Sequence, residues 1–302
     1  MSRTAFVHIG LSKTGTTSIQ RSLARSRDCL GAAGLCYPGR ASDHAELLAT
    51  VHPQGAAHHY FKVYDEGDPH QRAQRLWDEA AAASGDVILS SEYFAGLGRA
   101  GAERLRDRLA GMGFSPVIVC YLRHPVNAAI SLAQQTIKMN DRSLADVISA
   151  PPVPPMRSIL GAFSAFFGVE NLRVVDFSVA ASQGLLGNLM SILGRPELTD
   201  ALTVERANEG LTMDAAILCD LHRRMTQENV RPPFPRHLVF ELTDSKFTLP
   251  EQTLAKVRQD GQAHVDWVRE TFGVELVEAP VSARYRPNVT PASIMQLLNA
   301  GR

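Results

Sequence analysis

Apolar and polar positions along this chain switch repeatedly between a period of two and a period near 3.6, the signature of strands alternating with helices. Val7, Ile9 and Leu11 alternate with smaller or polar neighbours as a strand does, and Gly10 and Gly15 give freedom where the chain must reverse. Ile19, Leu23 and Leu30 then share one helical face over 18–30, which Gly31 and Gly34 end. Residues 35–38 read as a short strand, 43–51 as a short helix and 70–83 as a polar helix. The apolar run 86–90 predicts a buried strand, 99–112 an amphipathic helix with Leu105 and Leu109 inward, and 116–122 another strand. A helix begins near Pro125, a residue that suits a first turn. Four prolines within 151–155 exclude helix or central strand and predict a stiff connection. Helices over 156–167 and 185–193 flank a strand at 172–177, with Gly194 and Pro196 closing the second. Beyond it the clearest segments, 211–227 and 251–272, are helical.

Strands alternating with helices of this length predict right-handed crossovers and a parallel sheet covered on both faces. The expected architecture is therefore α/β, a three-layer P-loop-type fold with a central parallel sheet flanked by helices and a helical C-terminal part, forming a single domain over 1–302. In such sheets ligands bind past the carboxyl ends of strands. Lys13, Glu92 and Arg123 all follow predicted strand ends, so one cleft is expected to hold them.

Charge adds a constraint: 31 Lys+Arg balance 31 Asp+Glu, so no global field steers the chain to nucleic acid or an acidic membrane. Attraction for an anion must be local. No run reaches the roughly 18 apolar residues of a membrane span, and a strand begins within a few residues of the N-terminus, which predicts a cytoplasmic protein. Cys29, Cys36, Cys120 and Cys219 lack paired spacing and read as buried free thiols. His44, His52, His58 and His59 cluster in sequence without a metal-ligand pattern, and no metal is expected.

The local attraction is found at 6–20. A strand enters a turn of two glycines, hydroxyl residues and Lys13, and Thr16, Thr17 and Ser18 follow where a helix N-terminus would present backbone NH groups to an anion. Gly10 and Gly15 supply the G-x-x-x-x-G frame of a Walker A loop, but Thr16 stands where its lysine belongs. Lys13 precedes the second glycine instead and would approach an anion from the loop.

Lys13-Thr14-Gly15-Thr16-Thr17 resembles the 5′-phosphosulfate loop of sulfotransferases that use 3′-phosphoadenosine 5′-phosphosulfate (PAPS), where the pattern is Lys-Ser/Thr-Gly-Thr-Ser/Thr. The family's second signature, a strand ending in Arg-x-Pro with a later Ser on the 3′-phosphate, is matched by Arg123, Pro125 and Ser131. The resemblance covers the first half of the chain well. It implies PAPS as co-substrate, with 3′,5′-adenosine bisphosphate as product. The nucleotide would be held by Lys13, Thr14, Gly15, Thr16, Thr17, Ser18, Arg123 and Ser131. It further implies a hydroxyl acceptor, a carbohydrate or other small molecule. Sulfuryl transfer builds negative charge on the oxygen bridging sulfur and phosphorus, so Lys13 is the candidate cation. Glu92, past a buried strand, is the candidate general base, and His44 is its rival. Asn127, Ser131, Gln134 or Gln135, and Lys138 form a polar stripe on the helix from Pro125. Arg206 and Asn208 are similar to an Arg-x-Asn segment of bacterial relatives. Two departures stand out: Ser18 replaces a frequent Trp, and the cytosolic branch's C-terminal Arg-Lys-Gly is absent, with Arg284 and Arg286 as possible substitutes. Two rival readings are an ATP-dependent P-loop kinase, which would need Mg²⁺ and a lysine after Gly15, and a non-catalytic nucleotide-binding protein.

Overall fold

The computed structural model describes residues 3–63, 67–139, 141–205, 210–225 and 245–300. The chain divides into two compact units, one built from Met1–Leu122, Pro155–Ala207 and Trp267–Val277, the other from Arg123–Pro154, Asn208–Asp266 and Glu278–Arg302.

The first unit is built on β1 (Arg3–His8), β2 (Leu35–Cys36), β3 (Asp86–Ser90), β4 (Phe114–Leu122) and β5 (Leu172–Asp176). All pair in parallel in the order β2-β3-β1-β4-β5. Phe6, Ile88, Val119 and Tyr121 lie in one core with Ile19, Leu23, Leu189 and Met190 from helices Thr16–Arg25 (α1) and Leu185–Ile192. Val7, Leu89, Ile118 and Cys120 are equally buried, and helices Gly98–Gly111 and Met156–Phe167 contact β4. Burial of both sets of alternating side chains explains why the strands read as nearly continuous apolar runs. This is the expected α/β arrangement of a parallel sheet flanked by helices, with the loop after its central strand feeding a helix.

Several elements begin or end away from their expected positions. β1 ends at His8, yet the chain stays stitched to β4, because Ile9 N and Leu11 N donate to Val119 O (3.0 Å) and Tyr121 O (3.1 Å). The helix expected over 18–30 is two, Thr16–Arg25 and Arg27–Ala32, broken at Ser26. The Ser26 hydroxyl accepts from Thr203 N at 3.0 Å. The short helix expected over 43–51 starts at Ala45 as a 3-10 turn, Ala45–Leu47, and runs on as the α-helix Leu48–Val51, while residues 151–155 carry neither helix nor strand, as expected. All four cysteines are free, but only Cys120 is fully buried.

The second unit has its own core. Val126, Ala129, Ala133 and Ile137 of helix Pro125–Lys138 pack with Leu144, Val147, Met213, Ala216, Phe247 and Leu254. A buried Asp214 accepts from Arg286 Nη2 at 2.8 Å and from the Thr290 hydroxyl at 3.1 Å, tying a C-terminal segment to helix Met213–Met225. The helix expected over 211–227 is described as far as Met225. Among the described residues no helix is long and apolar enough to cross a membrane.

Candidate functional site

Sheet register sets the site. His8 of β1 pairs with Ser90 of β3, so Gly10 and Glu92 both lie two residues beyond that pair, at the carboxyl edge of adjacent strands. A Cβ on Gly10 would lie 3.4 Å from Glu92 Cα, which places the two backbones side by side. Gly10 has φ 94°, a conformation that glycine adopts without strain.

The loop that follows is closed by its own hydroxyls. Thr14 Oγ1 donates to Leu11 O at 2.6 Å and Thr16 Oγ1 donates to the same carbonyl at 3.1 Å, both side chains being buried. These hydroxyls therefore shape the loop instead of capping α1. Gly15 occupies the N-cap at φ 75°, and no side chain caps there. A Cβ on Gly15 would come within 2.4 Å of Leu185 Cδ2, a second reason for glycine. Lys13 also adopts positive φ, 66°, at the turn. A helix start without a side-chain cap, preceded by a lysine-bearing turn, is well suited to an anion. Thr17 and Ser18 lie in its first turn, both half-buried.

Glu92 begins the short helix Glu92–Gly96, where Ser91 Oγ accepts from Tyr93 N at 3.3 Å. Burial raises the proton affinity of the Glu92 carboxyl and the charge of Asp43 raises it further, while Lys13 and a hydrogen bond from Ser12 lower it. Lys13 and Glu92, expected from the sequence to share one cleft, are near enough for the lysine charge to act on the carboxyl. Ser12 and Asp43 join them. Neither is prominent in the sequence reading, although Ser12 lies inside the cradle motif.

His44 is placed differently from a base. Its ring is fully buried, with Nδ1 accepting from Ser90 N at 2.8 Å and Nε2 at 2.9 Å from Pro38 O, to which it donates. Its backbone N also donates to Ser90 O at 2.9 Å. Both ring nitrogens are therefore committed to backbone, and His44 clamps the end of β3 two residues before Glu92. His8 is buried as well, with Nδ1 2.8 Å from Ser90 Oγ.

Burial pushes the His8 and His44 imidazoles down to about 4. Between the ordinary value of about 6.5 and that range the unfolded chain takes up protons that the folded chain refuses. The stability contributed by the neutral rings is thus complete above about pH 6.5 and is lost as pH falls toward 4. Denaturant unfolding from pH 7 to 4.5 should show this decline, and His8→Asn should flatten it by up to about one proton's worth of slope. An identical slope in wild type and variant would contradict the assignment.

The second unit contains Arg123, directly after β4, and Ser131, half-buried on helix Pro125–Lys138. The polar stripe expected on that helix is partly structural. Asn127 exchanges two hydrogen bonds with the Ala279 backbone (3.0 and 2.9 Å), and Gln134 Oε1 accepts from Leu211 N at 3.0 Å. Arg286 is bound to buried Asp214, and Arg284 is exposed. Arg206 and Asn208 lie outside the described residues. Among the described residues no group of three or more His, Cys, Asp or Glu is arranged to hold a metal ion.

No protein-family model matches the chain, and no curated protein sequence does. Among solved structures it is similar to a sulfotransferase from Alicyclobacillus acidocaldarius, at 17% identity and a TM-score of 0.46, over 74% of this chain and 93% of that one. A likeness at this level assigns no function.

Proposed function

We propose that this chain is a sulfotransferase that moves a sulfuryl group from PAPS to an acceptor hydroxyl on a carbohydrate or other small molecule. The observation that carries the reading is the convergence of the Lys13 loop on Glu92, with Ser12 bonded to the Glu92 carboxyl and the Lys13 charge acting on it. A cation and an acid of raised proton affinity at one strand edge are what in-line sulfuryl transfer requires.

In the proposed reaction the acceptor oxygen attacks sulfur while the bond from sulfur to the 5′-phosphate oxygen breaks. The acceptor proton passes to Glu92, and the electron pair of the broken bond stays on the phosphate oxygen beside Lys13. Because the Thr14 and Thr16 hydroxyls are held by Leu11 O, the contribution of Thr14, Gly15, Thr16, Thr17 and Ser18 to the phosphosulfate is assigned chiefly to backbone NH groups. The clamped ring of His44 leaves the base role to Glu92. Arg123 and Ser131 take the 3′-phosphate on the strength of the sequence pattern. No metal enters the proposal, the cytoplasm is its expected compartment, and a single functional domain over 1–302 belongs to the same reading.

The kinase alternative lacks its lysine, since Thr16 follows Gly15. Thermal melting separates the two readings: 3′,5′-adenosine bisphosphate should raise the melting temperature more than ATP with Mg²⁺ does. The reverse order favours the kinase.

Arg123→Ala is expected to weaken nucleotide binding by on the order of 2 to 4 kcal/mol, the scale of losing a charged phosphate contact. Ser131→Ala should cost roughly 1 kcal/mol, one hydroxyl hydrogen bond. An unchanged dissociation constant in Arg123→Ala removes the 3′-phosphate assignment.

A further inference from the structure

The residue after Glu92 joins a cluster of rings that the reaction above does not use. Tyr93 lies edge-on to Tyr60 with ring centroids 5.3 Å apart, and edge-on to His58 at 5.9 Å. His59 lies 5.8 Å from Tyr93 and 4.2 Å from His58, and the cluster continues to His52, edge-on to His58 at 4.5 Å, and to Phe61, edge-on to Tyr60 at 5.1 Å. Tyr60 and Tyr93 are half-buried and His59 is exposed, so the cluster is packed on one side and accessible on another.

Asp43 is half-buried just before the turn Ala45–Leu47, which packs against Glu92–Gly96, and burial raises the proton affinity of its carboxyl. It precedes His44, whose ring and backbone bind the two sides of Ser90, two residues before Glu92. Its charge acts on both the Glu92 carboxyl and the Tyr60 phenol. Asp43 Oδ1 accepts from Ala45 N at 3.0 Å, and among the described residues no salt bridge reaches the carboxylate. The other nearby acid, Glu46, is 3.8 Å from Arg72 and differs in this respect.

Aromatic faces attract a cation, and a carboxylate beside them adds to that attraction. Two cations act on the same groups, Lys13 on Glu92 and Arg72 on the Tyr60 phenol. Arg72 lies 3.8 Å from Glu46, however, and Lys13 faces the phosphosulfate in the transfer reading, which leaves Asp43 and Glu92 to meet an anionic acceptor. We propose that the acceptor is an amino alcohol or aminophenol, its hydroxyl presented to Glu92 and its ammonium held by Asp43 against the faces of Tyr60 and Tyr93. The fate of the hydroxyl rests on the transfer reading; the binding preference does not, because it needs no donor.

Three probes isolate the charge: tyramine, tyrosol and 4-hydroxyphenylacetate share one phenol and carry an ammonium, a hydroxyl or a carboxylate on the tail. Their binding to the full chain at pH 7, without nucleotide, is measured by saturation-transfer NMR titration. Tyramine should bind at least about tenfold more tightly than 4-hydroxyphenylacetate, with tyrosol between them. Asp43→Asn can keep the bond from Ala45 and should shrink that ratio to about threefold or less. Tyr60→Leu should weaken tyramine about threefold or more while the melting curve stays cooperative, and it decides the matter if Asp43→Asn does not fold. Equal binding of tyramine and the carboxylate, a full ratio surviving in Asp43→Asn, unchanged tyramine binding in folded Tyr60→Leu, or no binding by any probe overturns the proposal. Ordered binding without label transfer from PAPS contradicts the transfer reading alone, and transfer without charge ordering contradicts this one alone.

Discussion

Lys13→Ala is expected to lower turnover at least ~100-fold, the scale of removing one preorganised electrostatic donor from a transition state. In the proposed reaction the charge that Lys13 would meet in the ground state is already spread over the phosphosulfate and would also be met by the backbone of the loop. The charge that appears during transfer is localised on the bridging oxygen, so the benefit of the cation grows as the bond breaks. Nucleotide affinity should accordingly fall less than turnover does. The loop should survive the substitution, because Thr14 and Thr16 close it through Leu11 O without the lysine. Positive φ at Lys13 adds a local cost for alanine too, so Lys13→Gly is the control. Comparable losses in Lys13→Ala and Lys13→Gly would assign the effect to the ammonium and not to the backbone. Single-turnover transfer from saturating labelled PAPS reads the chemical step directly.

Glu92→Gln is expected to cut turnover by roughly 100-fold or more while PAPS binding stays intact. The amide keeps the shape and can still accept from Ser12, but it cannot take the acceptor proton. Raising the acceptor concentration should not restore the rate, because the defect lies in proton removal. The wild-type rate should fall as pH drops and the Glu92 carboxyl becomes protonated, and that limb should lie above the pH usual for a free glutamate, because burial and Asp43 raise its proton affinity. Near-normal turnover in Glu92→Gln would remove the base role, and the committed ring nitrogens of His44 make solvent the next candidate.

The parts of this fold that are legible in the sequence have local signals. Residues 70–83 read as a helix and Pro69–Ala82 forms one, with Asp68 Oδ1 accepting from His70 N at 2.9 Å. The segment Glu251–Phe272 is helical over the full predicted range. The cradle is legible for the same reason, since its glycines, lysine and threonines fall in one short stretch whose composition suits little else. Features set by distant residues are not legible. The break at Ser26 accompanies a bond to Thr203, and the commitment of Asn127 involves Ala279. His44 has the residue type of a base, but Pro38 and Ser90 decide its role, and only the fold brings Ser90 to it. Asp43 escapes a sequence reading because its effect on Glu92 depends on that same clamp. Arg286 reads from the sequence as a substitute for the absent Arg-Lys-Gly segment, and its bond to the buried Asp214 appears only in the fold.

The Lys13 loop and its neighbours are proposed to bind a sulfonucleotide. Calorimetric titration of the full chain with 3′,5′-adenosine bisphosphate, with and without EDTA and beside ATP with Mg²⁺, tests it most directly. Saturable binding of the bisphosphate, unchanged by EDTA and tighter than that of ATP, is expected. Bisphosphate binding abolished by EDTA, or heat of binding from ATP with Mg²⁺ alone, would contradict it.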